Sequence, residues 1–366
     1  MKFDAFFKIL ITGGVVLFLL TTIGLISIAT QSSIGLLTGG VATFPQATAF
    51  VPKQAPAMIS LLANPERVYG IRQASLPLPR RRRDRTEWQQ WLTNNFNRVG
   101  LDYERLKPWL GDEIAVAVTA LDYDRNPDNG MQPGYLVAAK AKKIELAREF
   151  LDDFYGQHQI YQESYKGAKI VADRDRLTPQ SRVRSSAIVG DFVLFANNPL
   201  ILREAIHRAQ AVSLNLEHSD YYRQAIAQID RPRLAIAYLD VPQTLAWLDS
   251  SFAGQTDAHL SAFLSLDRRR MVVKTALTEA DGAATEIYRS LLDRTELEKI
   301  IALLSLEDNS YIDLKNNTSL LKNQTPNTVA KLAIKELFPH LEAIAIENSD
   351  RQDGIARGKI SFELDS

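Results

Sequence analysis

EIAVAVTALDYDRNPDNGMQPGYLVAAKAKKIELAREFLDDF, residues 113–154, decides the fold. In its first nine residues Ile114, Val116, Val118 and Ala120 alternate with smaller or polar side chains, the period of two that belongs to a strand. The spacing predicts a strand over Glu113–Leu121 whose Ile/Val side is the heavily apolar face. Residues 122–133 (DYDRNPDNGMQP) are polar and turn-forming, and Tyr135–Ala139 then resumes the apolar run, so the two strands make a hairpin with a long tip. From Lys142 the period changes. Ala147, Phe150, Leu151 and Phe154 fall at i, i+3, i+4 and i+7, with Lys143, Glu145, Arg148 and Asp152 left for the wet side. An amphipathic helix over Lys142–Phe154 lying on the hairpin is the expectation.

Working outward, the same grammar recurs. Ala187–Ala196 reads as two short strands joined at Gly190-Asp191; Asn198 then caps a helix with Pro199 at its first position and Leu202, Ala205, Ile206 and Ala209 as its inner stripe. A second helix opens at Ser219 or Asp220, with Tyr222, Ala225, Ile226 and Ile229 on its stripe. Arg233–Leu239 reads as a strand, Pro242–Leu248 as a helix and Met271–Thr278 as a strand. Helices over 294–304 and 328–338 and closing strands over 341–346 and 355–362 complete the pattern. Upstream, 57–62 and 68–71 read as short strands, and Thr86 opens a helix with Trp88, Trp91, Leu92 and Phe96 on one side. The fold class is α+β: antiparallel sheets with helices packed on one face, in recurring strand–helix units.

At the N-terminus, Ile9–Ala29 (ILITGGVVLFLLTTIGLISIA) carries no charge. As a helix it spans about 30 Å, the thickness of a bilayer core. Lys2 and Lys8 precede it, and no charge follows until Lys53. The positive-inside rule therefore places the N-terminus in the cytoplasm and exports the rest. The alternative is a cleaved signal, for which Ala47-Thr48-Ala49 resembles a processing site. The organisation expected is a transmembrane anchor over 1–30, a Gly/Ser/Thr-rich linker over 31–55 and an exported α+β domain over 56–366. If that domain divides, the boundary falls near 210–230.

Composition narrows the functions. Lys+Arg and Asp+Glu both number 43, so no net charge draws the chain to nucleic acid. There is no Cys, which removes disulfides, thiolate catalysis and Cys-ligated metals. The five His are scattered and form no H-x-x-x-H pair. No G-x-S-x-G, H-E-x-x-H, P-loop or dinucleotide fingerprint occurs. Ser319 and Lys322 make an S-x-x-K pair, but the Lys274-Thr275-Ala276 element precedes it in the wrong order and lacks the glycine. No catalytic residue and no cofactor is assigned. Asp112-Glu113 and Asp152-Asp153 are adjacent carboxylates that point apart, so neither pair shares a proton.

Two polar clusters remain. Asp122, Asp124, Asn126 and Asp128, with Gly130, form a ladder of oxygen ligands resembling the start of a calcium loop, although Pro127 and Pro133 occupy the turn and bidentate positions. The competing reading is a hairpin tip built from turn-favouring residues. Arg80, Arg81, Arg82 and Arg83, with Arg85 beyond, could hold anionic lipid headgroups or an acidic partner, against the reading of a solvated loop.

LGDEIAVAV (110–118), PGYLVAAKAKKIELAREFLDDF (133–154), YKGAKI (165–170), SSAIVGDFVLFANNPLILREAI (185–206) and SLNLEHSDYYRQAI (213–226) together resemble a family of mainly cyanobacterial, membrane-anchored proteins known as domain of unknown function 3352. The resemblance covers most of the chain from about residue 45. It brings no activity and no catalytic residues. It implies a photosynthetic bacterial host, and with it a periplasmic or thylakoid-lumen domain. The expected function is a non-catalytic interaction or assembly module at the membrane surface, integral through its N-terminal helix, with a protein partner and no nucleic acid. The alternative is a lipid- or small-molecule-binding domain, or a hydrolase whose site is scattered through the sequence.

Overall fold

A computed structural model describes residues 44–64, 85–86, 89–90, 93, 102–156, 160–173, 185–227, 234–248, 258–267, 270–279, 310–313, 341–352 and 355–364. The expected membrane segment Ile9–Ala29, Arg80–Arg83, the Trp88/Trp91/Leu92/Phe96 stripe and the helices at 294–304 and 328–338 lie outside them. Among the described residues no helix is long and apolar enough to cross a membrane. The chain forms two compact units, one on Thr43–Gln73 and Pro77–Gln224, the other mainly on Ala225–Ser366.

The first unit holds seven antiparallel strands: β1 (Ala57–Leu61), β2 (Leu110–Ala120), β3 (Gly134–Ala141), β4 (Ile160–Tyr165), β5 (Ala168–Asp173), β6 (Ser185–Val189) and β7 (Phe192–Ala196). Their order is β1-β2-β3-β7-β6-β5-β4. The β2–β3 hairpin pairs Val116 with Val137, and β3 then pairs with β7, setting Val137 opposite Phe195. Two tight turns carry the left-handed backbone that such hairpins need: Lys166 and Gly167 between β4 and β5, and Gly190 between β6 and β7.

Helices flank this sheet: α1 (Tyr103–Leu106), α2 (Ile144–Tyr155) and α3 (Pro199–Gln210). α2 buries Ala147, Phe150 and Leu151 of the expected stripe, with Tyr155 buried in place of half-buried Phe154, and its Phe150 ring lies 5.5 Å from Trp109 and 6.4 Å from Phe195 of β7. α3 is capped by Asn198, whose side chain accepts the Leu200 amide at 2.9 Å, and buries Ile201, Leu202, Ala205 and Ile206. Its Ile201 lies against the backbone of Gly134. Gly134 and Val137, the partner of Phe195, stand three residues apart on β3 and so face opposite sides. The expectation of helices on one face is therefore corrected: α2 and α3 cover opposite faces. All five residues of β7 are buried accordingly, the burial of a strand covered on both sides.

A second correction concerns β2. Its better-covered side is the small one, Ala115 (2% exposed), Ala117 and Thr119, whereas Val116 is 39% exposed. Small side chains there leave room for a 3-10 helix (Gln46–Phe50) and α3 to approach the sheet. That 3-10 helix also revises the expected linker. Ala47, Thr48, Phe50, Val51 and Ala55 are buried, so the folded unit includes residues upstream of Ala57 that were expected to be linker.

Helix α4 (Asp220–Ala227) spans the division between the units. The second unit contains β8 (Ala235–Asp240), α5 (Val241–Leu248), β9 (Ala258–Asp267), β10 (Arg270–Glu279), β11 (Ser310–Asp313), β12 (Leu341–Gln352) and β13 (Ile355–Leu364). It is an antiparallel sheet in the order β8-β9-β10-β13-β12-β11. The expected strands at 233–239, 271–278, 341–346 and 355–362 all lie within or against these elements, and β9 has no counterpart among the expected strands.

Candidate functional site

Among the described residues of the first unit, Glu113 is a buried charged group held by backbone donors. Between Leu110 and Ile114 the β2–β3 register shifts, and Gly111 is pressed so close to β3 that a Cβ there would lie 2.9 Å from the Lys140 carbonyl oxygen. The Asn64 side-chain amide donates to the Leu110 and Gly111 carbonyls at 2.8 and 2.9 Å, satisfying backbone that the irregularity frees. Beyond it Asp112 is exposed and Glu113 buried, as strand alternation requires.

Glu113 reaches the N-terminal end of the 3-10 helix. Its two carboxylate oxygens accept the Gln46 amide at 3.0 Å and the Ala47 amide at 2.8 Å, donors that the local residue Pro45 leaves uncapped. Lys140 stands beside it, donating to Gln46 Oε1 at 2.6 Å and pairing with Asp191 at 3.3 Å, its ammonium 5.9 Å from the Phe192 ring. Burial pushes the Glu113 carboxyl up, outweighing the two amides and the nearby Lys140, which pull it down. The rest of the lead-in is also fastened. Phe50 stacks edge-on to Phe192 at 5.2 Å, the Leu216 amide donates to the Val51 carbonyl at 2.8 Å, and Pro52 bridges to Asn215. Glu113 and Lys140 thus fasten the start of the 3-10 helix to the sheet, and the cluster acts as a clamp on residues 44–55.

The structure places the expected calcium ligands on the β2–β3 tip. Asp124 accepts the Asn126 amide at 3.2 Å and the Asn129 side chain at 2.8 Å; Asn126 accepts the Asp128 amide at 3.1 Å; Asp122 accepts the Gln132 amide at 3.4 Å. The Asn129 contact holds the Asp124 carboxyl below its ordinary value. These side chains turn back onto their own loop, the habit of Asx turns. Among the described residues no three His, Asp or Glu side chains gather as a metal would need. Of the basic run only Arg85 is described; it is helical and exposed.

Sequence reasoning missed two other polar groupings. Arg203 of α3 grips Glu163 of β4 through Nε at 2.6 Å and through Nη2, while the Tyr161 hydroxyl donates to Glu163 at 2.7 Å. Arg203 holds Glu163 below the usual carboxylate range, and the same carboxylate raises both Arg203 and Tyr161. In the second unit, buried Tyr238 and His259 stack at 5.8 Å and share a 2.8 Å contact between the Tyr hydroxyl and Nδ1. Asp240, opposite His259, caps α5 by accepting the Gln243 amide at 3.0 Å. The distant partners of these groups, forty positions apart for Glu163 and Arg203, leave no signal in sequence spacing.

No curated protein matches the chain. Two solved structures align over 88% of it and 93% of their own length at 6% identity: "Structure of crystal form III of TP0453" at a TM-score of 0.36 and "Structure of crystal form I of TP0453" at 0.37. That likeness is too loose to bear on fold or function. The family described as "Protein of unknown function (DUF3352)" matches residues 10–276, most of the length, and the chain belongs to it.

Proposed function

We propose that the chain is a single-pass membrane protein whose exported domain acts as a non-catalytic interaction or assembly module close to the membrane surface. The observation that carries this reading is the fastening of residues 44–55 by Glu113 and Lys140. With the lead-in held, only the fourteen residues Thr30–Thr43 separate the apolar segment from the folded unit. Fully extended they reach about 50 Å. A domain on so short a tether samples the membrane surface and whatever is embedded there. A cleaved signal is less compatible with this arrangement, because cleavage after Ala49 would remove Gln46 and Ala47, the partners of Glu113.

On this reading the N-terminus is cytoplasmic and the domain lies in the periplasm or thylakoid lumen of a cyanobacterium. Arg80–Arg83 and Arg85 contact anionic headgroups, each basic residue near such a surface contributing roughly 1 kcal/mol, and a protein partner is bound by the domain. Protease protection of a C-terminally tagged chain tests the topology. Digestion in intact spheroplasts is expected for a periplasmic domain, and digestion only after detergent opens the thylakoids for a lumenal one; digestion on osmotic lysis that leaves the thylakoids closed would overturn the topology. Affinity purification from solubilised membranes should return a reproducible partner, and a background-only result counts against the interaction role.

A further inference from the structure

Residues 44–55 enter the first unit at one end of its sheet. The Gln46 side chain meets Lys140 and the Phe50 ring meets Phe192, two strand residues that pair with each other where β3 closes and β7 begins. The β2–β3 tip lies at the other end, since from Glu113 to Ala120 the strand rises about 23 Å. α3 runs between the two ends. Its cap follows Asn197, whose side chain accepts the Tyr135 amide and donates to the Pro133 carbonyl beside the tip, and its last residue, Gln210, donates to the Lys166 carbonyl in the β4–β5 turn. The 3-10 turn Val212–Leu214 comes next and is tied to the lead-in, the Lys53 amide donating to the Leu214 carbonyl at 3.3 Å. The two ends differ in chemistry. At the lead-in end Phe44, Val212 and Leu214 are 55%, 49% and 47% exposed, Lys142 and Lys166 are exposed and Lys53 is half-buried. Exposed Asp112 and Glu217 offset part of that charge, while Glu113 is held in the clamp and Asp191 by Lys140. At the tip, residues 122–133 carry three Asp to one Arg.

We propose that the lead-in end of the first unit docks on an anionic bilayer surface, with Phe44, Val212 and Leu214 entering the headgroup layer and Lys53, Lys142 and Lys166 contacting lipid phosphates. The inference rests on the anchored reading above and adds to it which end of the unit meets the membrane. The tether Thr30–Thr43 joins the unit at Phe44, so of the two ends this one is held nearest the bilayer. Apolar side chains accompanied by lysines are the chemistry of peripheral membrane contact: the apolar groups leave water, and the ammonium groups stay at the negatively charged surface. A unit resting on its tip instead would bring exposed Asp124 and Asp128 against anionic headgroups and draw the tether along its whole length.

The absence of Cys lets a single thiol be placed at will. The full chain carrying Leu214→Cys, labelled with bimane and reconstituted in vesicles containing phosphatidylglycerol, should be strongly quenched by lipids that bear a nitroxide on the headgroup. Asp128→Cys, on the tip, is the control and should stay bright. Val212→Cys gives the same reading where Leu214→Cys folds poorly. Replacing phosphatidylglycerol with phosphatidylcholine should reduce the quenching at 214, because the lysines lose their anionic partners. An alkaline carbonate wash separates the two readings, since it strips peripheral protein and leaves a spanning helix in place. A chain washed off would overturn the anchor and this inference together. A chain that stays, yet is quenched equally at 214 and 128 or equally in the two lipids, would overturn the docking end alone and assign it to a protein partner.

Discussion

Glu113 on β2 accepts the backbone amide of Ala47 at 2.8 Å across 66 positions of sequence, closing the first unit onto its own lead-in. Both residues are buried, so the contact is shielded from water. Removing the carboxylate leaves the buried Ala47 amide without its acceptor, which costs about 1–3 kcal/mol, while the amide of exposed Gln46 can turn to water. Glu113→Ala is expected to lower stability by about 1–3 kcal/mol, read by chemical denaturation, and to speed proteolysis near residue 50. Glu113→Gln keeps one acceptor oxygen and should cost less. An alanine variant as stable as wild type would remove the clamp from the account.

The same carboxylate sets a pH dependence. Burial raises the Glu113 pKa above its ordinary 4.5, so the folded state holds the proton more tightly than the unfolded chain does. Its contribution to stability is then complete below pH 4.5 and is lost as pH rises through the folded-state value. The stability of wild type relative to Glu113→Gln should therefore fall on going from acid toward neutral pH. A difference that grows over that interval would mean the two amides outweigh burial.

Much of this unit was legible in the sequence, and the failures have identifiable physical causes. The periods of 2 and 3.6 in residues 113–154 gave β2, β3 and α2, and Asn198-Pro199 gave the start of α3. Periodicity divides a strand into two sides without saying which is covered. Val116 is exposed and Ala115 buried because neighbours distant in sequence, the 3-10 helix and α3, pack where side chains are small. β4 and β5 escaped notice because IYQESY and AKIVAD are short and IYQESY is largely polar, as an edge permits. Glu113 looked like any strand carboxylate, its role set by a register shift that no spacing reveals.

The Arg203–Glu163 pair predicts the opposite pH slope. Arg203 lowers the Glu163 pKa, so this pair stabilises the fold above the unfolded carboxyl value and its contribution is lost as pH falls through the folded one. Because both side chains are partly exposed, Arg203→Ala should cost only about 1 kcal/mol. Titration of the Tyr161 hydroxyl, followed by ultraviolet absorbance, should also change. Glu163 raises it by hydrogen bonding, so Glu163→Gln should let Tyr161 ionise at lower pH. An unmoved Tyr161 transition would show that the contact is not held in solution.

Gly134 opens β3 where the sheet and α3 come closest. A Cβ at this position would lie 2.5 Å from Ile201 Cδ1 and 2.7 Å from Thr119 Oγ1, both closer than real contacts permit. Ile201 is buried within α3 and Thr119 within β2, where its hydroxyl donates to the Gly134 carbonyl at 3.3 Å, so neither can swing away freely. Gly134→Ala should therefore destabilise the unit by about 1–3 kcal/mol, the range for overpacking a dense interior. Ile201→Val removes the nearer offending methyl and alone should cost about 1 kcal/mol. Combined, the two changes should cost less than the sum of their separate effects, because the space vacated by Cδ1 receives the new methyl. Additive losses in the double-mutant cycle would mean that Thr119, rather than Ile201, sets the limit on how closely α3 can approach.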